Sequence, residues 1–368
     1  EITYGDWSSD VCSSDLGGGG GLASYTQAGG ELILRGRFQR IPSAYTSVSD
    51  LVNAPINTTR AISGLNGALG TFNLNEPTNV FSMSAGTIRI YDVCGDGSVA
   101  AQQKVFEVLS STGNINVTGG TLELIPTTGT GTNSPNQIII SNASLGNLTV
   151  NRASSASVVL LNTYPLTVLN TFNLMSGDFN ANSLDVTVGG NFTIASGTTY
   201  TPGSNWTILN GSSIQTMTVN LGAALALNKF KIDKPAGTTL TLAGSQSNVT
   251  VNDSLIIAKA TFADGGKTIS LAGTIATASY LYNSGLHTGA GKILLNDNVP
   301  QLITGDGNGV FQNLELNNNT GTAPISLGAN ITVNGTLTLS QDKLFNIGAN
   351  NLKFGSSATV ANAGTARF

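Results

Sequence analysis

Residues 311–317, FQNLELN, are the clearest indication of the fold of this chain because apolar and polar residues alternate along them. Leu314 and Leu316 fall on one side of an extended backbone and Glu315 falls on the other, which is the pattern of a half-buried β-strand. Asn317 then supplies a residue type that favours turns. The stretch therefore predicts a short strand that ends at a turn.

The same motif occurs three times along the chain. It reads LGNLTVN from Leu145, LNKFKID from Leu227 and FQNLELN from Phe311, so the copies start about 82 to 84 residues apart. A related pair, ILNGSSIQ and LLNDNVPQ, places Gln215 and Gln301 at equivalent positions of successive copies. These spacings indicate a repeat of about 82 to 86 residues.

A second motif follows each copy after 22 to 24 residues, as VLNTFNL from Val168, VNDSLII from Val251 and VNGTLTL from Val333. A gap this constant fits one coil of a β-solenoid, in which the two motifs stack as neighbouring strands. One repeat would then hold about four coils. We predict an all-β chain folded as a parallel β-helix, right-handed by the general rule for parallel β connections.

Looser relatives of this pattern occupy the first part of the chain, as TQAGGELIL from Thr26, SMSAGTIRI from Ser82 and NVTGGTLEL from Asn116. Residues 22–144 are therefore expected to form N-terminal solenoid coils, and residues 145–368 the repeat array. The expected repeats are 145–226, 227–310 and 311–368, the last one cut short.

Tandem β-sandwich domains of about 80 residues are the alternative fold, because they also show alternation and turns. The repeats have no recurring core Trp or Tyr and no linker between them, and both facts favour the solenoid. Aromatic residues make up only 6% of the chain. We therefore expect a narrow apolar column without large rings.

The composition excludes several classes of function. Charged residues are 10% of the chain, too few to coat amphipathic helices. A net charge of -4 argues against nucleic-acid binding, which requires clustered Lys and Arg. No apolar run approaches the roughly 20 residues that span a bilayer. Two cysteines, Cys12 and Cys94, have neither metal-ligand spacing nor a disulfide framework.

The N-terminal segment is expected to lie outside the fold. Residues 6–16, DWSSDVCSSDL, resemble the conceptual translation of a sequencing-adapter oligonucleotide, and a run of glycines follows them. That resemblance implies that residues 1–21 are an artefactual or disordered leader. It also implies a metagenomic fragment whose natural N-terminus is not in view.

Carboxylates are the best candidates for catalysis, since β-helix lyases and hydrolases use clustered acids beside Lys or Arg. Each candidate lies next to Gly or Asn and is interpreted as a turn residue: Asp92, Asp96, Asp264, Asp297 and Asp306. No arginine lies between Arg152 and Arg367. The sequence therefore predicts no catalytic residue and no enzyme.

Metal and cofactor sites are not expected either. The segments CGDGS from Cys94 and GDGNG from Gly305 could offer oxygen ligands to calcium, but neither has the nonapeptide of calcium-binding β-rolls. His287, the only histidine, is interpreted as a surface loop residue. We predict no metal ligand, no cofactor-binding residue and no cofactor.

Two further sets of polar residues follow the repeat. Gln215 and Gln301 are interpreted as a stacked polar ladder at a coil corner. Outward threonine pairs resemble those of ice-binding solenoids, although they do not recur in every coil: Thr239 with Thr241, and Thr336 with Thr338. We therefore do not predict an ice-binding surface.

The stretches FQNLELNNNTGT, from Phe311, and ITVNGTLTL, from Ile331, resemble the repeats of very large bacterial proteins exported by the type IX secretion system. The resemblance covers residues 22–368 and implies a secreted or cell-surface β-helix, part of a longer chain. It favours a structural stalk or adhesin without catalysis, with surface glycans or other cells as partners. A polysaccharide-binding or polysaccharide-degrading β-helix is the alternative.

Overall fold

A computed structural model describes residues 24–34, 37–39, 71–74, 76–91, 103–125, 136–152, 158–221, 224–272, 279–318, 324–340 and 345–362. Within these ranges the regular structure is β-strand, apart from one short 3-10 helix at Thr112–Asn114. The expected leader at residues 1–21, and Asp92, Cys94 and Asp96, lie outside the described residues. The parallel strands stack in coils, which confirms the predicted β-solenoid.

The chain divides into two compact units. The first contains Glu1–Leu184 with Gly197–Tyr200, and the second contains Asp185–Ser196 with Thr201–Phe368. The strands of the first unit are β1 (Ser24–Leu34), β2 (Arg37–Gln39), β3 (Thr71–Leu74), β4 (Val80–Tyr91), β5 (Gln103–Val108), β6 (Ile115–Val117), β7 (Thr121–Ile125), β8 (Asn136–Ser141), β9 (Asn147–Asn151), β10 (Val158–Leu161), β11 (Leu166–Val168), β12 (Phe172–Ser176) and β13 (Asp178–Asn180).

Two parallel ladders build the first unit. One runs β1-β4-β7-β9-β12 and the other runs β2-β3-β5-β8-β10-β13. The side chains between the ladders include Tyr25, Phe72, Phe81 and Phe106, whose contacting rings lie 4.9 to 5.9 Å apart between centroids. The expectation of a column without large rings was wrong, because low overall aromatic content does not prevent aromatic residues from collecting in the interior.

The strands from Asp185 onward are β14 (Val186–Val188), β15 (Phe192–Ile194), β16 (Thr199–Thr201), β17 (Trp206–Leu209), β18 (Gln215–Val219), β19 (Leu225–Ile232), β20 (Thr239–Ala243), β21 (Asn248–Ile257), β22 (Thr261–Ala263), β23 (Thr268–Leu271), β24 (Ser279–Asn283), β25 (Leu286–Thr288), β26 (Lys292–Leu295), β27 (Gln301–Thr304), β28 (Gly309–Phe311), β29 (Leu314–Leu316), β30 (Ile325–Leu327), β31 (Ile331–Val333), β32 (Thr336–Leu339), β33 (Phe345–Asn346), β34 (Leu352–Phe354) and β35 (Thr359–Asn362). Apart from β16, which the division between the units cuts, these strands belong to the second unit.

Each full coil of the second unit has three sides. The first side is the ladder β14, β17, the second half of β19, the second half of β21, β24, β27, β30 and β33. The second side is the ladder β15-β18-β20-β22-β25-β28-β31-β34. The third side joins the first halves of β19 and β21 to β23, β26, β29, β32 and β35.

The predicted motif pairs are neighbouring strands. In the second unit Phe230 pairs with Leu255, and Leu314 pairs with Leu337. In the first unit β9 pairs with β12 in the same way. The gap of 22 to 24 residues is therefore one coil, as the sequence predicted.

The long repeat does not return to the same side of the coil. The second copy of the motif pair lies in β19 and β21 on the first side, whereas the third copy lies in β29 and β32 on the third side. A repeat of about 84 residues therefore holds a fractional number of coils. Its copies share strand chemistry but face different directions.

Candidate functional site

The only histidine lies inside the second unit. His287 is the middle residue of β25 and pairs in register with Phe262 of β22, with its ring centroid 5.9 Å from that of Phe262. Its side chain has no solvent exposure. The prediction of a surface loop histidine was wrong, because strand β25 turns His287 inward and its neighbour Leu286 outward.

Asp264 is the partner of this histidine. The turn position predicted for it is correct, since it directly follows β22, but its carboxylate points inward and is fully buried. Oδ2 lies 3.0 Å from His287 Nε2. Oδ1 accepts hydrogen bonds from the backbone N–H groups of Gly266 (2.7 Å) and Gly291 (3.0 Å).

Gly289 makes room for this carboxylate. A Cβ at Gly289 would lie 2.0 Å from Asp264 Oδ1, and the φ of Gly289 is +122°. Burial acts to raise the pKa of Asp264, but the hydrogen bonds from His287, Gly266 and Gly291 outweigh burial and hold the pKa below its ordinary value. The Asp264 carboxylate is therefore held in its charged form by hydrogen-bond donors around it.

The buried pair cannot meet a substrate in this conformation, because both side chains are closed to solvent. The second ring nitrogen, His287 Nδ1, is also buried and has no hydrogen-bond partner among the described residues. General acid–base catalysis requires a proton acceptor within reach of the substrate. This geometry favours a structural role, joining the coil that contains β22 to the next coil through β25.

A second buried polar cluster surrounds Gln215 of β18. Gln215 Nε2 donates to the carbonyl oxygens of Val188 (2.9 Å) and Gly190. Lys234 Nζ donates to Gln215 Oε1 (3.2 Å) and to the carbonyl oxygen of Gly211 (2.5 Å). Burial lowers the pKa of the Lys234 amine. This cluster satisfies backbone carbonyls at a corner of the coil.

Gln301 of β27 also donates a hydrogen bond to a backbone carbonyl oxygen, in a different coil. Its Nε2 donates to the carbonyl oxygen of Leu271 (3.2 Å) and to Ser279 Oγ (3.0 Å), and Ser279 Oγ donates to Asp297 Oδ2 (3.3 Å). In register, Gln215 pairs with Leu240 and Gln301 with Ile325. The two glutamines therefore bind backbone carbonyls, as corner residues would, but they do not stack into a polar ladder.

The other candidate acids are not brought together. Asp306 is exposed in its turn and accepts the backbone N–H of Asn308 (3.0 Å), which lowers its pKa. Asp297 is buried in the Gln301 cluster. Over the described ranges, no three His, Cys, Asp or Glu side chains are grouped so that they could hold a metal ion. In the same ranges, no helix is long and apolar enough to cross a membrane.

The outward side of the ladder β15-β18-β20-β22-β25 is rich in threonine, and we call it the threonine face. Its outward threonines include the predicted Thr239 and Thr241, whereas Thr336 and Thr338 lie on the third side of the coil. The threonines align only in pairs, such as Thr216 with Thr241 and Thr239 with Thr261. Each of these columns is then broken, the first by Ala263 and the second by Leu286.

Outward residues of the first side form the surface that the sequence did not reveal, and we call it the tyrosine face. One column aligns Trp206, Lys229, Ser254, Tyr280, Leu302 and Ser326. Ser254 has no solvent exposure, so it shares the register of this column without contributing to its surface. The adjacent column aligns Ile208, Lys231, Ile256, Tyr282 and Thr304. The alternation in WTIL, KFKI and YLYN could have predicted that these side chains point outward. Only the strand register shows that they share one side of the coil.

Two ion pairs accompany this face. Lys229 Nζ lies 3.5 Å from Asp253 Oδ2 and 5.8 Å from the ring centroid of Trp206. Lys231 Nζ lies 2.9 Å from Asp233 Oδ2. The lysines are therefore locally neutralised, and the Lys229 ammonium lies over one face of the Trp206 ring.

Comparison of the chain with protein-family models, with curated proteins and with solved structures found no match.

Proposed function

We propose that the chain is part of a bacterial cell-surface stalk or adhesin and has no catalytic activity. The observation that carries this proposal is the division between inward and outward residues. The inward positions are filled by apolar side chains and by polar groups that bind the backbone of neighbouring coils. The alternate residues of the strands point outward, where they are available to a partner.

The buried ionisable groups support a scaffold role. Asp264, His287 and Lys234 are all directed into the coil, and Asp264 and Lys234 contact backbone groups of adjacent coils. A lyase or hydrolase site would instead require carboxylates that face the substrate. Asp306 is exposed but is engaged in its own turn.

The extracellular or cell-surface location is proposed from the resemblance of the repeats to type IX-secreted proteins. An exported array of coils needs no cofactor for this role. Its partners would be surface glycans or other cells. The rival function is a polysaccharide-degrading β-helix, which the same resemblance in fold would allow.

Attachment and turnover assays separate these two functions. The full chain, coupled to fluorescent beads, is expected to adhere to bacterial or host cells more strongly than beads carrying albumin. The soluble chain is expected to release no reducing ends or unsaturated products from plant, algal and host polysaccharides. Turnover that is abolished by Asp92→Asn, Asp264→Asn or Asp306→Asn would establish the enzyme, and beads that adhere no better than albumin would contradict the adhesin.

A further inference from the structure

The tyrosine face combines aromatic rings with a regular spacing. Trp206 and Tyr280 occupy the same column three strands apart, which corresponds to about 14 Å at the usual strand separation. Tyr282 stands beside Tyr280 in the second column, with Ile256 one strand away. Rings of this kind offer broad apolar surfaces with a polar edge, and they are common in binding interfaces.

The charges of this face point to the class of partner. Lys229 and Lys231 are both paired with aspartates, so the face has no uncompensated positive group among its described residues. An anionic polymer such as a nucleic acid or a polyuronate would require unpaired cations. The paired Lys and Asp side chains can still donate and accept hydrogen bonds within the face. Charge therefore favours a neutral partner that has many hydroxyl groups.

We propose that the tyrosine face binds a neutral, linear polysaccharide, a proposal that rests on the adhesin function. The apolar C–H faces of sugar rings at separate points along the polymer would stack on Trp206, Tyr280 and Tyr282. Hydroxyl groups of the sugars would reach Lys229, which lies between Trp206 and Tyr280 in the first column, and Lys231 next to it in the second. A linear polymer fits this surface because both the polymer and the solenoid repeat along a line.

The threonine face is a weaker candidate for the same partner. It displays no tyrosine or tryptophan among its described outward positions, and Ala263 and Leu286 interrupt its threonine columns. Its methyl and hydroxyl groups provide little surface for stacking. The two faces therefore make different predictions for a glycan titration.

The first experiment uses Trp206 as the probe. In the full chain with Trp7→Phe, Trp206 is the only tryptophan, because the sequence has two. Its emission is titrated with soluble neutral polymers, hydroxyethylcellulose, glucomannan and xyloglucan, and with the anionic polymers alginate and polygalacturonate. We expect a saturable change with at least one neutral polymer and none with the anionic polymers. Binding only to the anionic polymers, or to no polymer, would overturn the proposal.

Variants then locate the site by affinity electrophoresis. Tyr280→Thr with Tyr282→Thr is expected to weaken binding at least about tenfold, since interface rings carry much of the binding energy. Tyr280→Phe with Tyr282→Phe keeps the rings and is expected to stay within about threefold. Tyr164→Thr, a half-buried tyrosine of the first unit, is the matched control and should bind as the parent does.

The two proposals can fail separately. If the threonine double variant binds as tightly as the parent, or the phenylalanine double variant binds as weakly as the threonine one, stacking on the tyrosine face is wrong. If the beads adhere to cells while the chain binds no neutral polymer, the adhesin proposal stands and this one falls. Polymer binding with loss in the threonine variant and retention in the phenylalanine variant would support the site.

Discussion

The interiors of the two units are filled differently. In the first unit, Phe72, Phe81 and Phe106 pack with Tyr25 as a cluster of rings. In the second unit, a comparable interior position is taken by His287, with Asp264 against it. The comparison indicates that a coil interior accepts a carboxylate where backbone N–H groups and a side-chain donor meet it, because hydrogen bonds then offset the cost of burial.

The largest loss of stability is expected when an acidic side chain is placed in the interior without such hydrogen-bond donors. Leu316 is buried between Leu295 and Leu339 of the adjacent coils. Leu316→Asp should lower the free energy of unfolding by about 4 kcal/mol, because its carboxylate would be buried without a partner. Urea unfolding followed by Trp206 emission in the Trp7→Phe background measures the change. A loss below about 1 kcal/mol would contradict the difference between this position and Asp264.

The next largest loss of stability is expected in the ring cluster of the first unit. Phe106→Ala should destabilise this unit by about 3 to 4 kcal/mol, because it leaves a cavity beside Phe72 and Phe81. Native-state hydrogen exchange of β3 and β5 reports the loss. Phe354→Ala is the control, since Phe354 is 44% exposed and its removal should cost less than about 1 kcal/mol. Equal losses for the two variants would show that the rings do not form a core.

Removal of Asp264 from the buried Asp264–His287 pair should reduce stability by a similar or slightly smaller amount. Asp264→Ala leaves the Gly266 and Gly291 N–H groups and His287 Nε2 without their acceptor, and should cost about 3 kcal/mol. Asp306→Ala removes an exposed turn acid and should cost less than about 1 kcal/mol. The same urea assay compares them, and equal losses would make Asp264 an ordinary turn residue.

The Asp264–His287 pair should also make the free energy of unfolding depend on pH in the acidic range. The folded pKa of Asp264 lies below its ordinary value, so its contribution is fully present above the unfolded pKa of 3.8 and is lost as the pH falls through the folded value. We expect unfolding free energies measured below about pH 5 to fall less steeply with acid in Asp264→Asn than in the parent. Parallel pH profiles for the two proteins would contradict this account.

The smallest effect is expected at an outward position. Glu315 accepts hydrogen bonds from Lys292 Nζ and Ser340 Oγ and is half-buried. Glu315→Lys should cost about 1 kcal/mol or less, since partly exposed ion pairs contribute little. A loss as large as that of Leu316→Asp, one residue away, would show that the inward and outward sides of β29 are not distinct.

Much of the fold could be predicted from the motif pairs. Their alternation identified the inward residues, such as Leu314 and Leu316, and their constant gap gave the length of one coil. The burial of His287 could not be predicted in this way. A three-residue strand such as β25 fits two alternation patterns, and Leu286 is the more apolar neighbour. Stacking on Phe262 selects the pattern that turns His287 inward.

The tyrosine face was missed for a related reason. Trp206, Tyr280 and Tyr282 occur in segments with little sequence similarity, and the 82-residue repeat brings its copies to different sides of the coil. Strand register alone places them in adjacent columns.

The parallel β-solenoid and its coil length follow from the amino-acid sequence, because alternation and turn residues act locally and recur at a constant spacing. Which polar groups are buried, and which outward residues become neighbours, is established only in the folded chain. Both depend on how one coil stacks on the next. That register is set by packing and hydrogen bonds between residues that lie one coil apart in sequence, as Asp264 and His287 do.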